Sequence, residues 1–283
     1  MTTSTAVDEA VRTSLREEPR IDASEPIRIS FEKDTRALVM EGEVSNIAGK
    51  KLALERAAAH PEVLGIVDRL HTRPAVIQDD PTVRKLVLDA LVQEPAFANL
   101  TLVERCDGRS EAVSAPDGAR GRIEVEVNNG IVTLDGSVPG LDRKRLAGVL
   151  AWWVPGSRDV VDGIGVDPPE DDDDGAIADA VRLVLEKDPF LDAVRVGIGV
   201  RDAVVTLTGA LATDWQRNMA EFDAWYIFAV DRVVNLIEVP SEPARADDAP
   251  EAEAEWRVIE IVQSPTGGGE RRILISDHED EED

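Results

Sequence analysis

The sequence predicts an α+β protein: three tandem α-β-β-α-β units, each a small sheet covered by two helices, followed by an acidic C-terminal tail. Three observations lead there. One apolar string ending around a glycine occurs three times, as "ALVMEGEV" at 37–44, "IVTLDGSV" at 131–138 and "VVTLTGAL" at 204–211. With Gly42, Gly136 and Gly209 in register, the same distance downstream brings Asp68 in "IVDRL", Asp162 in "VVDGI" and Asn235 in "VVNLI". Each repeat also opens on a helical pattern that stops at an acid-proline pair, at Pro19, Pro95 and Pro189. Internal periodicity of this kind marks repeated structural units.

The elements follow in order. In "AIADAVRLVLEKDP", Ile177, Ala180, Val181, Val184 and Leu185 fall on one face at helical spacing. Proline then ends the helix, because it has no N–H and clashes with the preceding turn. Two strands come next. In the second repeat they are "IEVEV" and "IVTLDGSV", joined by Asn128-Asn129-Gly130, and Asn-Gly suits a type I′ hairpin turn with positive φ at both central residues. In the third they are "VRVGIGV" and "AVVTLTG", turning near Arg201-Asp202. Gly42, Gly136 and Gly209 are expected to allow a bulge or a close helix approach, a structural role. A second helix follows, over 142–154 and 213–229, and a final strand closes the unit. The predicted boundaries are 1–72, 73–168, 169–242, and 243–283 for the tail. Residues 101–121, rich in Gly, Pro and Ser, read as an inserted loop in the second unit. In the tail, "WRVIEIV" and "RRILIS" flank a glycine-rich turn and read as a hairpin.

The second helices carry unexpected aromatics. Trp215, Met219, Phe222, Tyr226 and Ala229 make one stripe at helical spacing, the expected core face of the third unit. Trp225 lies about 100° from Tyr226 and so off that stripe, as does Trp152 in the second unit, and Phe228 also falls outside it. Trp152, Trp225 and Phe228 therefore either pack units two and three together or form the candidate interaction surface, where aromatic anchors are favoured.

Composition limits the function classes. A formal charge of −26 argues against nucleic acid or an anionic bilayer held by general electrostatics. No stretch approaches 18 uninterrupted apolar residues. The opening "MTTSTAVDEAVRTSLREEPR" lacks a basic segment followed by an apolar one, so a cytoplasmic location is expected. The single cysteine, Cys106, forms no intramolecular disulfide and has no histidine beside it in the sequence. His60, His71 and His278 show no metal-ligand spacing. "TGGGE" at 266–270 lacks the Gly-Lys-Ser/Thr of a phosphate loop, and the acidic run after Pro168-Pro169 lacks calcium-loop spacing. Those acids suit the positive N-terminus of the next helix instead. No catalytic residue, cofactor or metal is expected.

The repeated pattern resembles the BON domain family (bacterial OsmY and nodulation). Its carriers in the second repeat are Gly130, Thr133, Leu134, Gly136 and Val138, then Val160, Val161 and Ile164. In the third they are Thr206, Leu207, Gly209, Val233, Val234, Asn235 and Ile237. The first repeat is degenerate: Val39 stands at the threonine position, while Gly42 and Val44 are kept. The resemblance implies an α/β sandwich unit without enzyme chemistry, associated with phospholipid or envelope contact, stress responses and protein interaction. The expected function is a non-catalytic tandem interaction protein that binds a protein partner or forms a homo-oligomer. Peripheral phospholipid binding is the alternative.

Overall fold

The computed structural model describes residues 3–22, 26–170 and 172–240. The predicted tail hairpin at 256–276 lies outside the described residues. Unit one runs α1 (Thr3–Arg16), β1 (Arg28–Glu32), β2 (Ala37–Val44), α2 (Ile47–Ala58), β3 (Gly65–Thr72). Unit two runs α3 (Asp80–Gln93), β4 (Thr101–Cys106), β5 (Arg109–Ser114), β6 (Arg122–Asn128), β7 (Ile131–Val138), α4 (Leu141–Trp153), β8 (Asp159–Asp162), β9 (Gly165–Val166). Unit three runs α5 (Asp174–Lys187), β10 (Val196–Arg201), β11 (Val204–Gly209), α6 (Asp214–Tyr226), β12 (Arg232–Asn235).

The α+β class and the α-β-β-α-β order recur in all three units. Each has an antiparallel hairpin, β1/β2, β6/β7 or β10/β11, whose second strand pairs in parallel with the closing strand, β3, β8 or β12. The registers agree as well. The residue two before each key glycine faces an apolar partner across the hairpin: Met40 faces Ile29, Leu134 faces Val125, and Leu207 faces Ile198. Alternation along the strands turns these residues toward the helices, and Met40, Leu134 and Leu207 are fully buried.

The hairpin of unit two turns at Asn129 and Gly130, both at positive φ, as the Asn-Gly signal requires. Residues 101–121 are not a plain loop. They hold a second hairpin, β4/β5, turning through Asp107 (φ 51°) and Gly108 (φ 74°), and β4 lies parallel against the outer edge of β6. The Asp-Gly between two alternating runs carries that signal, and the Gly- and Pro-rich stretch just after it masks it.

Gly136 (φ 122°) and Gly209 (φ 110°) are required by the neighbouring strand rather than by a helix. A Cβ at Gly136 would stand 2.2 Å from the carbonyl oxygen of Arg122, and one at Gly209 would stand 2.0 Å from that of Arg195. Gly42 is milder, with Ile27 Cα at 3.5 Å. Gly136→Ala is expected to lower unfolding free energy by about 2–4 kcal/mol, combining backbone strain with a clash that only strand movement relieves. Urea denaturation reads this directly, and a loss under about 1 kcal/mol would contradict the close-approach account.

The acidic run before α5 also has structural uses. Asp172 pairs with Arg145, Asp173 caps α5 by accepting from Ala176 N, and Asp174 accepts from the N–H groups of Asp202 and Ala203 in the β10/β11 turn. Asp80 at the start of α3 does the same for Asn129 and Gly130. A carboxylate at the helix N-terminus thus satisfies the turn amides of its own unit's hairpin, in a position the helix dipole favours. The closing strands share one more contact: Asp68, Asp162 and Asn235 each accept the N–H two residues on, from Leu70, Ile164 and Ile237.

Candidate functional site

The second helices of the three units, α2, α4 and α6, come together. One buried apolar cluster contains Ile47, Ala48 and Leu52 from α2, Val149 from α4, and the whole core of unit three. Where they meet, a cleft of about 1020 Å³ opens, walled by residues of all three units.

This junction decides where the predicted aromatics go. Trp225 is 0% exposed and packs in the shared cluster. Lys51 from α2 lies 5.7 Å from its ring centroid. Trp225 is therefore no part of an interaction surface. The predicted stripe is also out of phase. The face of α6 turned to the core is Ala220, Ala224 and Trp225, whereas Trp215 is 51% exposed and Met219, Phe222 and Tyr226 are half-buried. The two alanines let α6 sit close on its sheet, and Trp225 reaches sideways toward α2. Which side of a helix counts as inward depends here on a neighbouring unit. Trp152 is half-buried and stacks on Tyr226 across the α4–α6 contact, with ring centroids 5.4 Å apart. Phe228 alone of the three stays exposed, at 51%, with Lys144 Nζ 4.8 Å from its ring centroid.

The junction also holds polar groups whose pairing no local pattern announces. Lys50 Nζ reaches Asp68 at 3.0 Å and Asp159 at 2.6 Å, tying unit one to unit two. Lys51 Nζ donates to the carbonyls of Ile227 and Val230 at 3.1 Å each, tying unit one to unit three, and burial lowers its pKa to about 8. Trp153 Nε1 donates to Asp223 Oδ1 at 2.9 Å. Asp223 is fully buried near Asp188, and the Oδ2 atoms of both carboxyls are buried with no hydrogen-bond partner. Burial first, then the charge of Asp188 and the hydrogen bond to it, push Asp223 up to about 8. Asp223 is therefore held in its protonated form near neutral pH.

A different surface has no counterpart in the sequence-based expectation. Phe190 and Trp215 meet edge to face, with centroids 5.5 Å apart, and both are about half exposed. Gln216 Nε2 donates to the Phe190 carbonyl at 2.9 Å and fixes the connection that carries it. Val194, 96% exposed, lies on the same connection between α5 and β10. The available signal is Phe190 directly after the helix-stopping Pro189, outside any periodic element.

Among the described residues, no group of three or more His, Cys, Asp or Glu side chains is arranged to hold a metal ion, and no helix is long and apolar enough to cross a membrane. Cys106 is half-buried at the end of β4 rather than in a loop.

Small three-stranded or enlarged sheets under paired helices, repeated in tandem and fused through one junction, define a class of α+β sandwich repeats. The family model of the BON domain matches residues 109–168 and 173–241, so these two regions of the chain are BON domains. The match falls on units two and three. Unit one shares their strand order and pairing, so its likeness to them rests on topology. Among solved structures, the chain is similar to the C-terminal domain of CdsD, a structural protein of the type III secretion system of Chlamydia trachomatis. The two are 15% identical, with a TM-score of 0.22, over 82% of this chain and 96% of that one. A second structure of CdsD is 16% identical, with a TM-score of 0.23, over 84% and 93%. Neither likeness carries an argument about role. No curated protein matches the chain.

Proposed function

We propose that this protein is a non-catalytic interaction module whose partner is a basic protein surface with an apolar pocket, docking on Phe190, Trp215 and Val194 of unit three. The observation that carries the reading is the exposed aromatic pair, held in place by Gln216. Large rigid side chains presented in a fixed geometry are what interface anchors require. The charge of −26 supplies the preference for a basic partner through long-range steering. Trp152 and Trp225 have no part in this surface, because they join the units to one another.

The test is capture from cell extract with purified wild type and Trp215→Ala, over a salt series. A bound protein that is basic, elutes with rising salt and is at least about tenfold weaker on the variant fits the loss of an aromatic anchor. Flotation with phosphatidylcholine and phosphatidylglycerol vesicles separates the alternative. Vesicle binding that depends on Trp215 would replace the protein-partner reading with a phospholipid one. Capture unchanged by Trp215→Ala would remove this surface from the account.

A further inference from the structure

The three units can be compared position by position, and one of them leaves an ion pair open. Lys50, Lys144 and Arg217 stand at the same distance after the key glycines, as Asp68, Asp162 and Asn235 do further on. In unit one the two positions close on each other, Lys50 Nζ to Asp68 Oδ2 at 3.0 Å. In unit three Asn235 Nδ2 donates to the Arg217 carbonyl and to Glu221 Oε2. In unit two the pair is open. Lys144 lies over the Phe228 ring instead, and Asp162 Oδ2 is buried with no hydrogen-bond partner. Burial raises Asp162 to about 6, against the Ile164 N–H and the charge of Lys144, which both favour the carboxylate without closing on Oδ2.

The surroundings keep the position open. Gly148 stands where unit one has Leu54, and a Cβ there would come 3.5 Å from Asp162 Oδ2. Asp162 and Gly148 both line the junction cleft of about 1020 Å³, together with Trp152, Tyr226 and Phe228. Among the described residues, every cation on the cleft wall is already engaged: Lys50 by Asp68 and Asp159, Lys51 by two carbonyls, Arg145 by Asp172, and Arg232 by Glu55. The acceptors are not used up, since Glu55 Oε2 is also buried without a hydrogen-bond partner. A cleft with aromatic faces, spare carboxylate oxygens and no spare cation suits a ligand cation with an alkyl body.

We propose that the junction cleft binds a small alkylammonium ligand, of the diamine or polyamine class, with Asp162 as its counter-ion. The ammonium does for Asp162 what Lys50 does for Asp68. The alkyl chain then lies along Trp152, Tyr226 and Phe228. The site is separate from the Phe190–Trp215 surface, so either can fail alone.

The test titrates the full-length protein with 1,4-diaminobutane by calorimetry at 150 mM salt, with 1-butanol and butyrate as neutral and anionic controls. Asp162→Asn keeps the Oδ1 acceptor for Ile164 N, as Asn235 does in unit three, and so leaves the fold intact. Gly148→Ala places a methyl beside Oδ2 and suits a helix interior better than glycine. The expected result is saturable diamine binding, absent for both controls and at least about tenfold weaker in each variant. No saturable binding to the wild type overturns the proposal. So does binding unchanged in Asp162→Asn, which assigns the amine to the acidic surface at large.

Discussion

Replacing Trp225 with alanine is expected to lower the unfolding free energy by about 3–5 kcal/mol, the range for emptying a fully buried aromatic site. The side chain is 0% exposed and surrounded by apolar residues of its own unit together with Ile47 and Leu52 of α2. The loss is not confined to unit three. Lys51 sits over the Trp225 ring while its ammonium holds the carbonyls of Ile227 and Val230, so removing the ring loosens the packing that keeps a desolvated cation in place. Urea unfolding followed by far-ultraviolet circular dichroism gives the magnitude. Amide exchange in α2 locates it, and protection there should fall along with that in α6. A variant that unfolds within about 1 kcal/mol of wild type would mean that Trp225 is not the keystone of the junction.

Asp223→Asn is expected to stabilise the protein at alkaline pH. The sign follows from the proton that Asp223 holds. Its folded pKa of about 8 lies well above the ordinary 3.8. Below about pH 4 both folded and unfolded chains are protonated, and the contribution to stability is complete. Between about pH 4 and 8 only the unfolded chain gives up its proton, so stability falls as pH rises, and above about 8 the loss is complete. A tenfold change in proton affinity is worth about 1.4 kcal/mol, and relaxation around the pair brings the realised loss to about 2–4 kcal/mol. Asparagine keeps an oxygen for Trp153 Nε1–H and offers an N–H to Asp188. Denaturation of both proteins at about pH 5 and about pH 8.5 is the measurement. The wild type should lose about 2–4 kcal/mol more than the variant across that interval. Parallel losses would show that Asp223 does not hold a proton in the folded protein at neutral pH.

Much of each unit is legible because it is written in local chemistry. The fixed spacing from Gly136 to Asp162 and from Gly209 to Asn235 encodes a strand, a helix and a closing strand of set length. Asn129-Gly130 dictates its turn through φ alone. The junction is not legible, because it depends on which helix meets which. Trp215 and Trp225 lie on one helix with the same side chain, yet the second packs into a cluster that α2 completes and the first stays exposed. The open carboxylate of Asp162 is hidden for the same reason. Its sequence counterpart Asp68 is satisfied, and nothing local tells Lys144 to turn to a ring contributed by another unit. The β4/β5 hairpin is the exception, a local signal present in Asp107-Gly108 but outweighed by the composition around it.

The single apolar cluster shared by α2, α4 and α6 bears on how the gene can be cut. An array of self-contained beads tolerates deletion or swapping of a bead. Here, excising residues 173–241 would uncover Ile47, Leu52 and Val149, and the excised piece would present Trp225 and Ile227 to water. Two stretches that a family model recognises separately are therefore expected to melt as one unit together with the stretch before them, so that a cut between units costs all three.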